Sequence, residues 1–167
     1  MARLGSAARA LAHNKVSTKT KLTERFPILM QALIIDYAGV LDTNAEDQRR
    51  WRTLIESVKD TGIKTAILSN VEAEGEQADQ VREWEFRGIV DAVVLSGEVG
   101  ARKPERAAFQ AAADAVDAPL ADCVMIDDDI MNVRGAVENG MIGILHTAFE
   151  RTAVEIQSLF DIEGEFE

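Results

Sequence analysis

Short apolar runs, each closed by a polar residue, alternate along this chain with stretches whose apolar residues recur every three or four positions. The runs are Ala32-Leu33-Ile34-Ile35, Thr65-Ala66-Ile67-Leu68, Ala92-Val93-Val94-Leu95, Cys123-Val124-Met125-Ile126 and Ile142-Gly143-Ile144-Leu145. Continuous apolar runs of this length, bounded by turn residues, predict strands buried on both faces. Between them, Trp51, Leu54, Ile55 and Val58 fall at i, i+3, i+4 and i+7, one face of a helix that Gly62 stops. A more polar helix is predicted over 73–86, with Ala78, Val81 and Trp84 inward. Pro104 is predicted to open a helix in its first turn, with Phe109, Ala112, Ala113 and Val116 on one side and Asp117-Ala118-Pro119 closing it. Helices over 133–139, stopped by Gly140, and 150–160 complete a β-α order repeated five times.

Strands alternating with helices specify a parallel sheet covered on both faces. The predicted fold is therefore α/β, a Rossmann-like three-layer sandwich around a five-stranded parallel sheet. Ligands of such sheets bind outside the carboxyl ends of the strands. The runs end there in Asp36, Ser69-Asn70, Ser96-Gly97 and Asp127-Asp128-Asp129, so these residues are predicted to converge on one rim. No internal repeat and no second domain is legible.

Charge sets the first residues apart from the rest. Arg3, Arg9, Lys15, Lys19, Lys21 and Arg25 against Glu24 give residues 1–25 a balance of +5, so the remainder of this −11 chain carries −16. A basic, flexible tail is expected over 1–27 and one domain over 28–167, with an organelle transit peptide as the weaker alternative for the tail. An acidic body is a poor partner for nucleic acid, whose nonspecific binding rests on phosphate neutralisation. No apolar run approaches the ~20 residues that span a bilayer, so no membrane partner is expected. The single cysteine, Cys123, excludes an internal disulfide and reads as a small core residue. That suits a reducing compartment, and a cytoplasmic location is expected.

Three adjacent carboxylates repel one another, so Asp127-Asp128-Asp129 needs a cation or must hold protons at raised pKa. Mg²⁺ fits, because it takes one or two protein carboxylates and keeps several waters. A solvated acidic turn capping the next helix is the competing reading. His13 and His146 have no partner at a ligand spacing.

From about Leu33 to Phe160 the chain resembles the haloacid dehalogenase-like hydrolase superfamily, on four motifs in that family's order. They are Ile34-Ile35-Asp36-Tyr37-Ala38-Gly39-Val40-Leu41; Ala66-Ile67-Leu68-Ser69-Asn70; Gly100-Ala101-Arg102-Lys103-Pro104 ahead of Phe109; and Ile126-Asp127-Asp128 through Asn132 with Gly135-Ala136 and Gly140-Met141. The resemblance implies Asp36 as nucleophile and Lys103 as the cation that neutralises it. It implies Ser69, with Asn70, as phosphate-binding, together with neighbouring backbone N–H groups and Lys103. It implies Mg²⁺ held by Asp36, Asp128 and the backbone carbonyl of Ala38, with Asp127 on the ion or one step behind it. Asp129 is expected to face solvent or cap, and Asn132 to cap the helix or support the metal site.

Two departures qualify the resemblance. The family's phosphatases usually carry a second Asp two residues after the nucleophile, as general acid and base; here that residue is Ala38. Such a group contributes about 10²–10⁴-fold, so its absence slows hydrolysis most for poor leaving groups. Asp42 is the nearby carboxylate that could substitute. Only 28 residues separate Asp36 from the second apolar run, too few for a cap domain, so an open rim is expected. The expectation is a Mg²⁺-dependent phosphatase with a phosphorylated substrate, slowed by Ala38, and with a homo-oligomer left open. The alternative is a catalytically weak or inactive module that binds metal, phosphate or a protein partner.

Overall fold

The computed structural model describes residues 29–166; the basic tail expected over 1–27 lies outside the described residues. Five strands form one parallel sheet in the order β3-β2-β1-β4-β5: β1 (Ala32–Ile35), β2 (Lys64–Ser69), β3 (Ala92–Leu95), β4 (Cys123–Asp127) and β5 (Ile142–Leu145). The helices are α1 (Ala45–Asp60), α2 (Glu76–Phe86), α3 (Ser96–Val99), α4 (Arg106–Ala115), α5 (Ile130–Glu138) and α6 (Phe149–Phe160).

The apolar runs are continuous because both sheet faces are covered, yet within each run successive side chains go to opposite cores. In β1, Leu33 and Ile35 join Trp51, Leu54, Ile55 and Val58 of α1, Trp84 of α2 and Ile156 of α6. Ala32 and Ile34 join Ala108, Phe109, Ala112 and Ala113 of α4 and Ala136 of α5. The result is the expected three-layer sandwich. No cap domain lies among the described residues, and no helix there is long and apolar enough to cross a membrane.

Three expectations are corrected. Pro104 does not open α4: the Glu105 N–H donates to the Arg102 carbonyl at 2.8 Å, closing a turn that leaves Pro104 outside a helix beginning at Arg106. The polar helix begins at Glu76 rather than residue 73, because Gly75 ahead of it has φ +109°, outside helical space. The β-α order is interrupted by α3, one turn too short to show a hydrophobic period. Its Gly97 lies so close to the chain after β2 that a Cβ would fall 2.3 Å from the Ala73 nitrogen.

Strand order places the site. The chain leaves β1 toward β2 on one side and reaches β4 on the other, so the switch point lies between β1 and β4, where open α/β sheets form their crevice. The residues just past or at the ends of these strands are Asp36 and Asp127.

Candidate active site

Asp36 is carried out of the sheet by β1, and its backbone N–H still donates to the Ile126 carbonyl of β4 at 2.8 Å. That bond fixes where the side chain starts. Asp127 ends β4 and is wholly buried. Between the two carboxylates sits Lys103, only 3% exposed, with its Nζ 2.7 Å from Asp36 Oδ1 and 2.7 Å from Asp127 Oδ2. The loop before α4 thus reaches across the sheet to the end of β1.

Asn70 is what holds that loop. Its Nδ2 donates to the Lys103 carbonyl at 3.0 Å and its Oδ1 accepts the Lys103 N–H at 2.8 Å. The side chain expected to bind phosphate is committed to the lysine's backbone. On the other side of the loop Gly135 makes room: a Cβ there would fall 2.5 Å from the Pro104 Cβ. Ser69, nearly fully buried, ends β2 beside β1 and makes no hydrogen bond to Asp36 or Lys103.

The three acids after β4 have three different environments. Asp127 is the most heavily bonded: Oδ2 accepts from Lys103 and from Asn132 Nδ2 at 3.2 Å, and Oδ1 accepts the Asp129 N–H at 2.9 Å. Asp129 caps α5, accepting the Met131 N–H at 2.8 Å. Asn132 is therefore not the cap; it points inward to Asp127. Asp128 is exposed and lies against Gly39, where a Cβ would fall 2.1 Å from its Oδ2.

Oxygens of Asp36, Asp127 and Asp128 all lie within 4.8 Å of one another. Lys103 offsets one of the three charges, which leaves an excess of about two. Burial pushes the Asp36 carboxyl up to about 6, against the pull of Lys103 and with the repulsion of Asp127 added. With three hydrogen bonds already on Asp127, the least engaged donors of the cluster are the Asp128 carboxylate and the second oxygen of Asp36. Two hard carboxylates on an open rim fit a Mg²⁺ ion that retains waters.

Ala38 is exposed beside this cluster and supplies no proton. Asp42 is not one of the clustered carboxylates. Its N–H donates to the Tyr37 carbonyl at 2.9 Å, and its charge, after burial, helps raise the Tyr37 phenol. It therefore bears on the Tyr37 ring, which packs edge-on against Trp84 at 6.5 Å. His146 is a packing residue: its Nδ1 lies 2.8 Å from Thr152 Oγ1 and its ring 5.6 Å from that of Trp51. His13 lies outside the described residues.

A family model described as haloacid dehalogenase-like hydrolase matches residues 10–140. A sesquiterpene phosphatase of Aspergillus oryzae is 26% identical over 111 residues, 66% of this chain and 56% of that protein. A phosphatase of Mycobacterium tuberculosis is 30% identical over 90 residues, 54% of this chain and 42% of that protein. The chain thus spans about half the length of these curated relatives. A crystal structure of an uncharacterized protein from Corynebacterium glutamicum superposes with a TM-score of 0.78 at 57% identity, covering 81% of this chain and 98% of that one.

Proposed function

Since the chain belongs to the haloacid dehalogenase-like hydrolase family, we propose that it is a Mg²⁺-dependent phosphatase working through an aspartyl-phosphate on Asp36. The observation that carries this reading is Lys103 Nζ at 2.7 Å from both Asp36 and Asp127. A buried lysine between two carboxylates holds one of them ionised and aimed where a phosphoryl group would arrive. The bound ion, on Asp36, Asp128 and the Ala38 carbonyl, would screen the repulsion between the carboxylate and the phosphate dianion.

An Asp36 oxygen attacks phosphorus, the P–O ester bond breaks, and the alcohol departs with a proton drawn from water. Water then attacks phosphorus of the acyl phosphate, releasing inorganic phosphate and restoring the Asp36 carboxylate. Lys103, the Ser69 hydroxyl and backbone N–H groups after β2 hold the equatorial oxygens. Asn70 serves by fixing Lys103. Ala38 offers neither acid nor base, so both steps are slow and good leaving groups are favoured.

The same alanine favours a second reading, a nearly inactive module that binds metal and phosphate. Turnover of p-nitrophenyl phosphate and acetyl phosphate with Mg²⁺, in wild type, Asp36→Asn and Ala38→Asp, separates the two. The phosphatase reading expects Mg²⁺-dependent turnover lost in Asp36→Asn, and a gain of orders of magnitude on poor leaving groups in Ala38→Asp. Turnover no higher than in Asp36→Asn leaves the binding module. The sesquiterpene phosphatase relative makes monophosphates of apolar alcohols the first substrates to try. We place the enzyme in the cytoplasm, where a single buried cysteine stays reduced.

A further inference from the structure

Resting on the phosphatase reading, we infer that the first turn of α5 is a shelf for the organic part of the substrate, and that this part is apolar and uncharged. The chain runs from Asp127, Asp128 and Asp129 directly into Ile130 and Met131, then Asn132. Asn132 turns inward to Asp127. Ile130 and Met131 turn outward and are 58% and 56% exposed.

Helix geometry fixes which way each one lies. Met131 stands one turn ahead of Gly135 on the same face, and Gly135 lies against Pro104. Met131 is thereby aligned with the loop that carries Lys103. Ile130 stands one turn ahead of Val133, whose Cγ1 would lie 2.8 Å from a Cβ on Gly143 of β5. The two side chains therefore flank the mouth of the site from the Lys103 loop to the β5 end.

Single exposed apolar side chains are ordinary. This pair differs in being consecutive, in following the acidic run that ends at Asp129, and in standing on a rim that no described residue covers. In-line displacement sends the leaving oxygen to the side of phosphorus away from Asp36, outward onto that rim. Elsewhere the loops at this end, with α3, expose Asp42, Glu72, Glu74, Glu98 and Asp129. The cations near them include Arg102, Arg82, which is held by Glu98, and Arg52 and Arg87, which line one pocket with Asp42, so acids still outnumber free cations. A second anionic group on the substrate would meet excess negative charge, while a hydrocarbon would meet Ile130 and Met131. The class that fits is the monophosphate of an apolar alcohol or phenol.

The test uses the full chain with Mg²⁺ and two probe series. Para-alkylphenyl phosphates from methyl to hexyl share nearly the same leaving-group acidity and report kcat/KM. Alkylphosphonates from methyl to hexyl report Kd by calorimetry and need no turnover. Complete transfer of a methylene from water is worth nearly fourfold, and a one-sided shelf gives about half that free energy, or about twofold per methylene. Five added methylenes should raise kcat/KM and tighten Kd roughly thirtyfold. Ile130→Ser with Met131→Ser should flatten both slopes while acetyl phosphate turnover stays unchanged. A para-carboxyethylphenyl phosphate should be slower than its para-propyl counterpart. Flat slopes in wild type, slopes that persist in the double variant, or preference for the carboxylate would overturn the shelf. Absence of turnover with a surviving Kd slope would instead overturn the phosphatase reading and leave the shelf standing.

Discussion

Replacing Gly39 by alanine separates the stability of the fold from the competence of the metal site. Gly39 has φ +77°, left-handed space that an L side chain enters at a cost of about 1–2 kcal/mol. For a domain of this size that is a fall in Tm of about 3–8 °C in EDTA. The new methyl group would also stand 2.1 Å from Asp128 Oδ2 and 2.7 Å from its Cγ. Because that carboxylate is the free end of an exposed side chain, it can swing aside with little further loss of stability. The swing removes an oxygen donor from the cluster, and displaced ligand geometry weakens metal binding by at least about tenfold. Thermal melts in EDTA and in saturating Mg²⁺, with a calorimetric Mg²⁺ titration, measure both effects. The Mg²⁺-induced gain in stability at a fixed sub-saturating concentration should shrink with the weaker Kd. A Gly39→Ala protein that melts lower in EDTA yet binds Mg²⁺ like wild type would refute the role given to Asp128.

Other expectations follow from the same geometry. Asn70→Ala removes both bonds to the Lys103 backbone, so kcat on p-nitrophenyl phosphate should fall by about 10²-fold as the ammonium loses its position; an unchanged kcat would count against the clamp. Lys103→Met leaves Asp36 and Asp127 buried without their cation and should cost about 3–5 kcal/mol in denaturant unfolding, with Asp36→Asn in that background restoring part of the loss. The Asp36 carboxyl is raised by burial to about 6. The metal-free folded protein therefore holds that proton more tightly than the unfolded chain. Its stabilising contribution is present at low pH and is lost as pH rises through about 6. Unfolding in EDTA from about pH 4 to 7 should show this decline in wild type and not in Asp36→Asn. Mg²⁺ affinity should climb through the same window and level above it.

Fold and site were legible to different depths in the chain. The strands followed from uninterrupted apolar runs, because burial on both sheet faces leaves no room for polar alternation. β1, β3 and β5 begin and end where their runs do. That Asp36 and Asp127 meet on one rim followed from strand polarity, whereas Lys103, which ends no strand, was pointed to only by the family motif. The individual duties of three neighbouring acids did not follow, since spacing cannot say which oxygens are already occupied. Only the contacts of Asp127 with Lys103, Asn132 and the Asp129 N–H mark it as the more engaged and Asp128 as the more open. Asn70 shows the same limit: its side chain bonds the Lys103 backbone 33 residues away, a partner that spacing does not reveal. Gly39 and Gly135 act through the atoms they lack, so their close approaches to Asp128 and Pro104 leave no periodic signal.

The central claim is that Asp36 is phosphorylated during turnover, and Ala38 makes this directly observable. Without a base to activate water, breakdown of the acyl phosphate is slow, so the adduct should accumulate. Wild-type protein would be mixed with acetyl phosphate and Mg²⁺, quenched in acid, and mapped by peptide mass spectrometry. The account predicts a phosphoryl adduct on the peptide containing Asp36, absent in Asp36→Asn and reduced in Ala38→Asp as hydrolysis of the adduct speeds up. Steady turnover with no adduct on Asp36, or with the adduct on another residue, would contradict it.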